Sequence, residues 1–130
     1  MVVYEPICAD SWPAAFTFSQ GVKVGNMVFL SGTTATDEKG KIVGPGDIVA
    51  QTRQIFSKFE AVLKQVGGGL ENIVETTDYV LSLEEYNKTA ALRREIFNGP
   101  PWPAATGVVV KGLVRADALI EIKAIAVLSN

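Results

Sequence analysis

The sequence contains no histidine and a single cysteine, Cys8, in 130 residues. Without histidine there is no Ser-His or Cys-His nucleophile pair and no imidazole-ligated metal, so neither a metal site nor a cofactor is expected. One thiol cannot close an intramolecular disulfide, which suits a reducing compartment and a cytoplasmic location. Cys8 follows Ile7 and reads as a small apolar residue of an early strand, with a reactive thiol as the alternative. Positive charge is scarce too. Twelve Lys and Arg stand against 14 Asp and Glu, a formal net charge of −2, and the longest basic run is Arg93-Arg94. Nucleic-acid binding calls for a basic stripe, so nucleic acid is not an expected partner. Long apolar runs are missing as well, and none approaches the ~20 residues that span a bilayer. The opening MVVYEPICADSW has no basic region and carries Glu5 and Asp10, so neither a secretory signal nor a membrane partner is expected.

What is present is a globular composition, with 48% apolar and 20% charged residues, enough to fill a core. No linker, low-complexity segment or repeat interrupts residues 1–130, and one domain is expected. Short strands read at Val2–Ile7, Gly21–Val24 and Met27–Ser31, with Gly25-Asn26 as a two-residue hairpin turn. After Gly44-Pro45-Gly46, Asp47 caps a long helix. Ile48, Thr52, Ile55, Phe59, Val62 and Val66 share one face of it, and Gly67-Gly68-Gly69 stops it. Ile73–Leu81 reads as a strand. Ser82 with Glu85 three residues on starts a second helix that runs to about Phe97 and ends at Asn98-Gly99-Pro100-Pro101. Ala104–Val110 and Ala118–Leu128 complete the chain as strands.

This order makes an α+β protein, with two βαβ-type units and both helices on one face of a mixed sheet. In the last strand Ala118, Ile120, Ile122, Ala124, Ala126 and Leu128 form an apolar face suited to lie under helices. Leu119, Glu121, Lys123, Ile125 and Val127 form a mixed face. The second side of such a sheet retains apolar surface that usually meets another subunit, so oligomerisation is expected.

Several segments resemble the Rid (YjgF/YER057c/UK114) family, also called the endoribonuclease L-PSP family. They are Gln20-Gly21-Val22, Gly25 through Gly32, Gln51-Thr52-Arg53-Gln54, Pro103-Ala104 and the closing Ile120 through Val127. The resemblance implies a chorismate-mutase-like fold, a homotrimer, a small-molecule ligand in a cleft at each subunit interface, and cofactor-free deamination of imines or enamines. Ser31, Gly32 and Glu121 match the family's site. Four positions depart from it. The arginine that holds a substrate carboxylate is Ala105 here, the cysteine two residues later is Gly107, and a cleft tyrosine is Phe18. An asparagine of the second helix corresponds to Ala90.

Losing a guanidinium–carboxylate contact, worth about 1.5–3 kcal/mol, argues against a simple 2-imino acid as substrate. The expected ligand is less acidic, larger or more apolar. Glu121 is the candidate catalytic group, directing water with a pKa raised by desolvation. The alternative is a Glu121–Lys123 pair serving solubility or an intersubunit salt bridge. Ser31 and Thr106 offer hydroxyls to a ligand, or are ordinary strand residues. Phe18 and Trp102 offer apolar walls, or pack in a core or interface. Arg93 and Arg94 could replace the missing clamp, but a solvated helix face is the simpler reading. Two functional readings stand: a Rid-like deaminase, and a non-catalytic trimer that binds or senses a small molecule. RNA cleavage, an activity of some members, sits poorly with the acidic charge and absent histidine.

Overall fold

Gly25 takes φ +60°, the left-handed value that a two-residue hairpin turn with glycine first requires. It joins β2 (Gly21–Val24) to β3 (Met27–Thr33), and β1 (Glu5–Ile7) pairs with β2 on the outside. The computed structural model describes residues 3–129, so Val2 of the expected first strand lies outside the described residues. Then follow α1 (Ile48–Lys64), a single 3-10 turn (Leu70–Asn72), β4 (Ile73–Val80), α2 (Leu83–Asn87), α3 (Ala90–Phe97), β5 (Ala104–Val109) and β6 (Ile120–Val127).

The six strands form one sheet in the order β1-β2-β3-β6-β4-β5. The last strand in sequence is thus inserted at the centre, antiparallel to both β3 and β4. β3 and β4 therefore run parallel, with α1 as their crossover. β4 and β5 pair directly in parallel, with α2 and α3 between them. Both βαβ units expected from the sequence are present, and the sheet is mixed.

The apolar stripe of α1 is buried as its spacing requires, and Gln51, Phe56 and Leu63 join it. It packs on Val28, Leu30, Ile120, Ile122, Ala124 and Ala126 of the central strands. The Asp47 carboxylate accepts from Val49 N and Ala50 N, each at 3.1 Å, satisfying two free donors at the helix start. Asp47→Ala should lower the unfolding free energy by about 1 kcal/mol, read from urea denaturation. Gln51, fully buried, spends both ends of its amide: Nε2 donates to Gly44 O and Oε1 accepts from Leu119 N. It ties α1 to the loop that leads into β6.

The expected second helix is two helices. Ser82 accepts from Glu85 N as a cap should, but the helix breaks at Lys88-Thr89. Thr89 is buried and its hydroxyl donates to Tyr86 O, a local side-chain bond that competes with the helical ladder. The break lets Tyr86 lie over β5 while Arg93, seven residues further on, reaches β4. Arg93 is not on a solvated face as its sequence position suggested. Its side chain is 15% exposed and paired with the fully buried Asp78.

The other sheet face carries no helix. Val24, Met27, Phe29 and Val74 are each more than a third exposed there, and Ala104 through Gly107 of the edge strand β5 are exposed. No helix among the described residues is long and apolar enough to cross a membrane.

Candidate functional site

Glu121 sits on the helix-free face of β6, opposite Tyr79 of β4. Its neighbour on the other side is β3, where the register shifts between Leu30 and Thr33. The irregularity brings Gly32 under the Glu121 carboxylate. A Cβ built on Gly32 would stand 2.8 Å from Glu121 Oε2, so only glycine leaves the carboxylate where it is. Partial burial pushes the Glu121 carboxyl above the ordinary glutamate range. No ion pair joins Glu121 to Lys123 among the described residues, although both line the same cavity.

That cavity has a volume of about 320 Å³, the size of a small-metabolite site. Gly32, Tyr79, Glu121 and Lys123 form its polar side, and the loop from Val110 to Val114 forms its apolar wall. Val114 is 89% exposed.

A second cavity, of about 20 Å³, lies on the opposite side of Gly32 and has room for about one water. Phe18, Ser31 and Gly32 line it together with Trp12 and Lys58. The Ser31 hydroxyl donates to Ser19 O at 2.6 Å. Trp12 Nε1 donates to Phe18 O, and the Trp12, Phe16 and Phe18 rings pack against one another. Lys58 Nζ donates to Thr33 Oγ1, Thr34 O and Thr36 Oγ1. Burial, helped by nearby Arg115, pulls its pKa down to about 8.

The remaining sequence candidates lie elsewhere. Cross-strand register places Thr106 on the Glu121 face, beside Thr77, and places Ala105 and Gly107 on the helix side, beside Thr76 and Asp78. Gly107 has a reason to be glycine here, because a Cβ would come within 2.9 Å of the Tyr86 ring. The Tyr86 hydroxyl donates to Asp78 Oδ2, and burial, reinforced by that carboxylate, pushes its pKa up to about 12. Arg93 Nη2 donates to Thr76 Oγ1 at 2.9 Å and Nη1 stands 3.0 Å from Asp78 Oδ2. Its guanidinium lies 5.6 Å from the Phe56 ring centre and 5.7 Å from that of Phe97. Arg94 is exposed. Trp102 is half-exposed and folds back against Gly99, away from both cavities.

One chain therefore gathers Phe18, Ser31, Gly32 and Glu121 around the bulge of β3, and leaves Trp102, Ala105, Thr106 and Gly107 at the β5 edge. The sequence reading did not single out Trp12, Lys58 or Tyr79. For Lys58 a signal existed: it falls three residues after Ile55 and four before Val62, on the inward row of α1.

Residues 9–128 match the family model for endoribonuclease L-PSP. A RutC family protein of Pyrococcus abyssi is 38% identical over 110 residues, covering 84% of either chain. The 3-aminoacrylate deaminase RutC of Acinetobacter baylyi is 31% identical over 114 residues, covering 88% of this chain and 89% of its own. Among solved structures, a Rid family protein of Yersinia pestis superposes with a TM-score of 0.86 at 29% identity, covering 96% of this chain and 99% of its own. RidA of an Antarctic Psychrobacter superposes with a TM-score of 0.84 at 28% identity, covering 95% and 99%. Sequence and fold converge on one assignment: the chain belongs to the Rid family of L-PSP and RutC proteins.

Proposed function

We propose that the protein is a cofactor-free hydrolase of a small imine or enamine, with Glu121 directing the water. The observation that carries this reading is the partly desolvated carboxylate at a 320 Å³ cavity, standing over Gly32, where any side chain would displace it. A carboxylate so placed accepts a proton from water as the oxygen attacks the C=N carbon. It then returns the proton to nitrogen, giving a carbinolamine; transfer of the hydroxyl proton to nitrogen then breaks the C–N bond, and ammonia leaves as the carbonyl forms. An enamine first takes a proton on carbon to become the imine.

The site is completed between copies of the chain. Glu121, Ser31, Gly32 and Phe18 belong to the β3–β6 region of one copy, and Ala105, Thr106 and Gly107 lie on a bare edge strand, with Trp102 just before it, that a neighbour would meet. The exposed Val24, Met27 and Phe29 on the helix-free face support such an assembly, and a homotrimer is the family's arrangement. The substrate is other than a simple 2-imino acid, because Ala105 offers no charge and Arg93 is already neutralised by Asp78.

Light scattering should give a mass near three times 13.9 kDa; a monomer at micromolar concentration would remove the shared site. Ammonia release from enzymatically generated enamines should exceed the rate in buffer for at least one of a panel varied in charge and length. Saturable ligand binding with no acceleration for any of them would favour the alternative, a trimer that binds or senses a metabolite.

A further inference from the structure

Glu121 keeps its place only while Gly32 lies beneath it, so the irregularity of β3 must itself be held still. From Leu30 to Thr33, three steps of β3 oppose the two steps of β6 from Ala124 to Ile122, which leaves one extra residue in β3. Such a bulge can settle at more than one place along a strand unless side chains fix it. On the near side, Ser31 N donates to Gln20 O at 2.9 Å and Ser31 Oγ to Ser19 O at 2.6 Å. On the far side the fixing group is Lys58 of α1. Its ammonium carries three protons and meets three acceptors: Thr33 Oγ1 at 2.6 Å, Thr34 O at 2.9 Å and Thr36 Oγ1 at 2.8 Å. Gln54, one turn earlier on the same row of the helix, donates to Thr36 O at 3.1 Å. All of these contacts lie within one copy of the chain. Filling space does not call for lysine here. A half-buried ammonium loses hydration that two hydroxyls and a carbonyl only partly replace, and its lowered pKa records that loss.

We propose that Lys58 is a positioning residue for Glu121: by gripping Thr33, Thr34 and Thr36 it pins the β3 bulge and keeps Gly32 under the carboxylate. The inference rests on reading Glu121 as the group that directs water, and deepens it by naming what holds that group in place. If the bulge moves, a residue other than glycine brings its Cβ to the point 2.8 Å from Glu121 Oε2. The carboxylate then swings toward solvent and regains hydration, and its pKa falls back toward the ordinary glutamate range. Losing the positive charge of Lys58 acts by itself in the opposite direction, because a nearby cation favours an ionised carboxylate. The sign of the change therefore separates positioning from a charge effect. Tyr79 on β4 and Lys123 on β6 are the other titratable groups lining the cavity, and the variants below leave both in place.

The test follows Glu121 by NMR in the native assembly, labelled at the glutamate carboxyl carbon, with the Glu121→Gln spectrum identifying its signal. In Lys58→Met the Glu121 carboxyl should titrate at lower pH than in the wild type. Lys58→Arg, which keeps both donors and charge, should restore most of the difference. Thr33→Val combined with Thr36→Val removes two of the three acceptors and no charge. It should shift the titration the same way, and it decides the matter if Lys58→Met does not assemble. For a substrate that is turned over, kcat should fall about tenfold or more in Lys58→Met with KM little changed. A Glu121 titration that stays put or moves to higher pH, an equal fall in Lys58→Arg, or a full kcat in Lys58→Met would each overturn the assignment. The titration itself involves no turnover. A protein that shows the shift but hydrolyses nothing would refute the deaminase reading and leave this one standing.

Discussion

Ala105→Arg should raise hydrolysis of 2-aminoacrylate, generated by a serine dehydratase and followed as pyruvate, by about tenfold or more over the wild type. The gain comes from a clamp that both holds the carboxylate and orients the imine carbon. Adding Glu121→Gln should cost roughly a hundredfold and erase the gain, because the amide cannot take the proton from water. Ala105 lies on the helix side of β5 and Glu121 on the opposite face of the sheet. The gain therefore also requires two copies to meet, and should disappear under conditions that dissociate the assembly. The acid limb of the rate should fall at a higher pH than an ordinary glutamate would give, since burial raises the Glu121 pKa and a base works only when ionised. Circular dichroism and light scattering must show a folded assembly first. A folded, assembled Ala105→Arg variant with no activity means that Glu121 does not direct water, and the binding reading then leads.

Arg93→Ala should destabilise the protein by about 3–5 kcal/mol, the cost of stranding one partner of a buried pair. Asp78 is fully buried, and among the described residues its Oδ1 has no hydrogen-bond partner and only Arg93 supplies compensating positive charge. The pH dependence has a definite sign. Burial already raises the Asp78 pKa above 3.8 in the folded state, against the opposing pull of Arg93. The ionised carboxylate thus costs stability once the pH exceeds its folded value, and that cost vanishes below 3.8. Removing Arg93 raises the folded pKa further. The deficit measured by urea denaturation should be largest at neutral pH and shrink on acidification. A deficit independent of pH would assign the effect to lost packing of the guanidinium on Phe56 and Phe97. Asp78→Asn combined with Arg93→Met should recover much of the loss, because neither partner is left charged.

Periodicity carried most of the fold. The alternation in β6 and the seven-residue recurrence in α1 each bury one face, and burial is what those patterns encode. The break at Thr89 was not legible, because no glycine or proline marks it. It arises from a hydroxyl that finds Tyr86 O only once the residue is buried. Arg93 and Asp78 lie on separate elements joined only by the folded crossover, so the sequence offered no sign that this arginine leaves solvent. At the site, Ser31, Gly32 and Glu121 were legible through resemblance. What resemblance could not supply is the reason for Gly107, which is the Tyr86 ring, or the placement of Ala105 and Glu121 on opposite faces.

The bare strand β5 sets a limit on misassembly. An unpaired sheet edge is a template on which any extended chain can add a ladder, and short edges are safer than long ones. Here the template is six residues, Ala104–Val109. Immediately upstream stand Pro100, Pro101 and Pro103, which have no N–H to offer an intruder. A foreign strand therefore finds only a short docking length, ended by residues that cannot extend it. The same edge is thereby made a poor seed for aggregation.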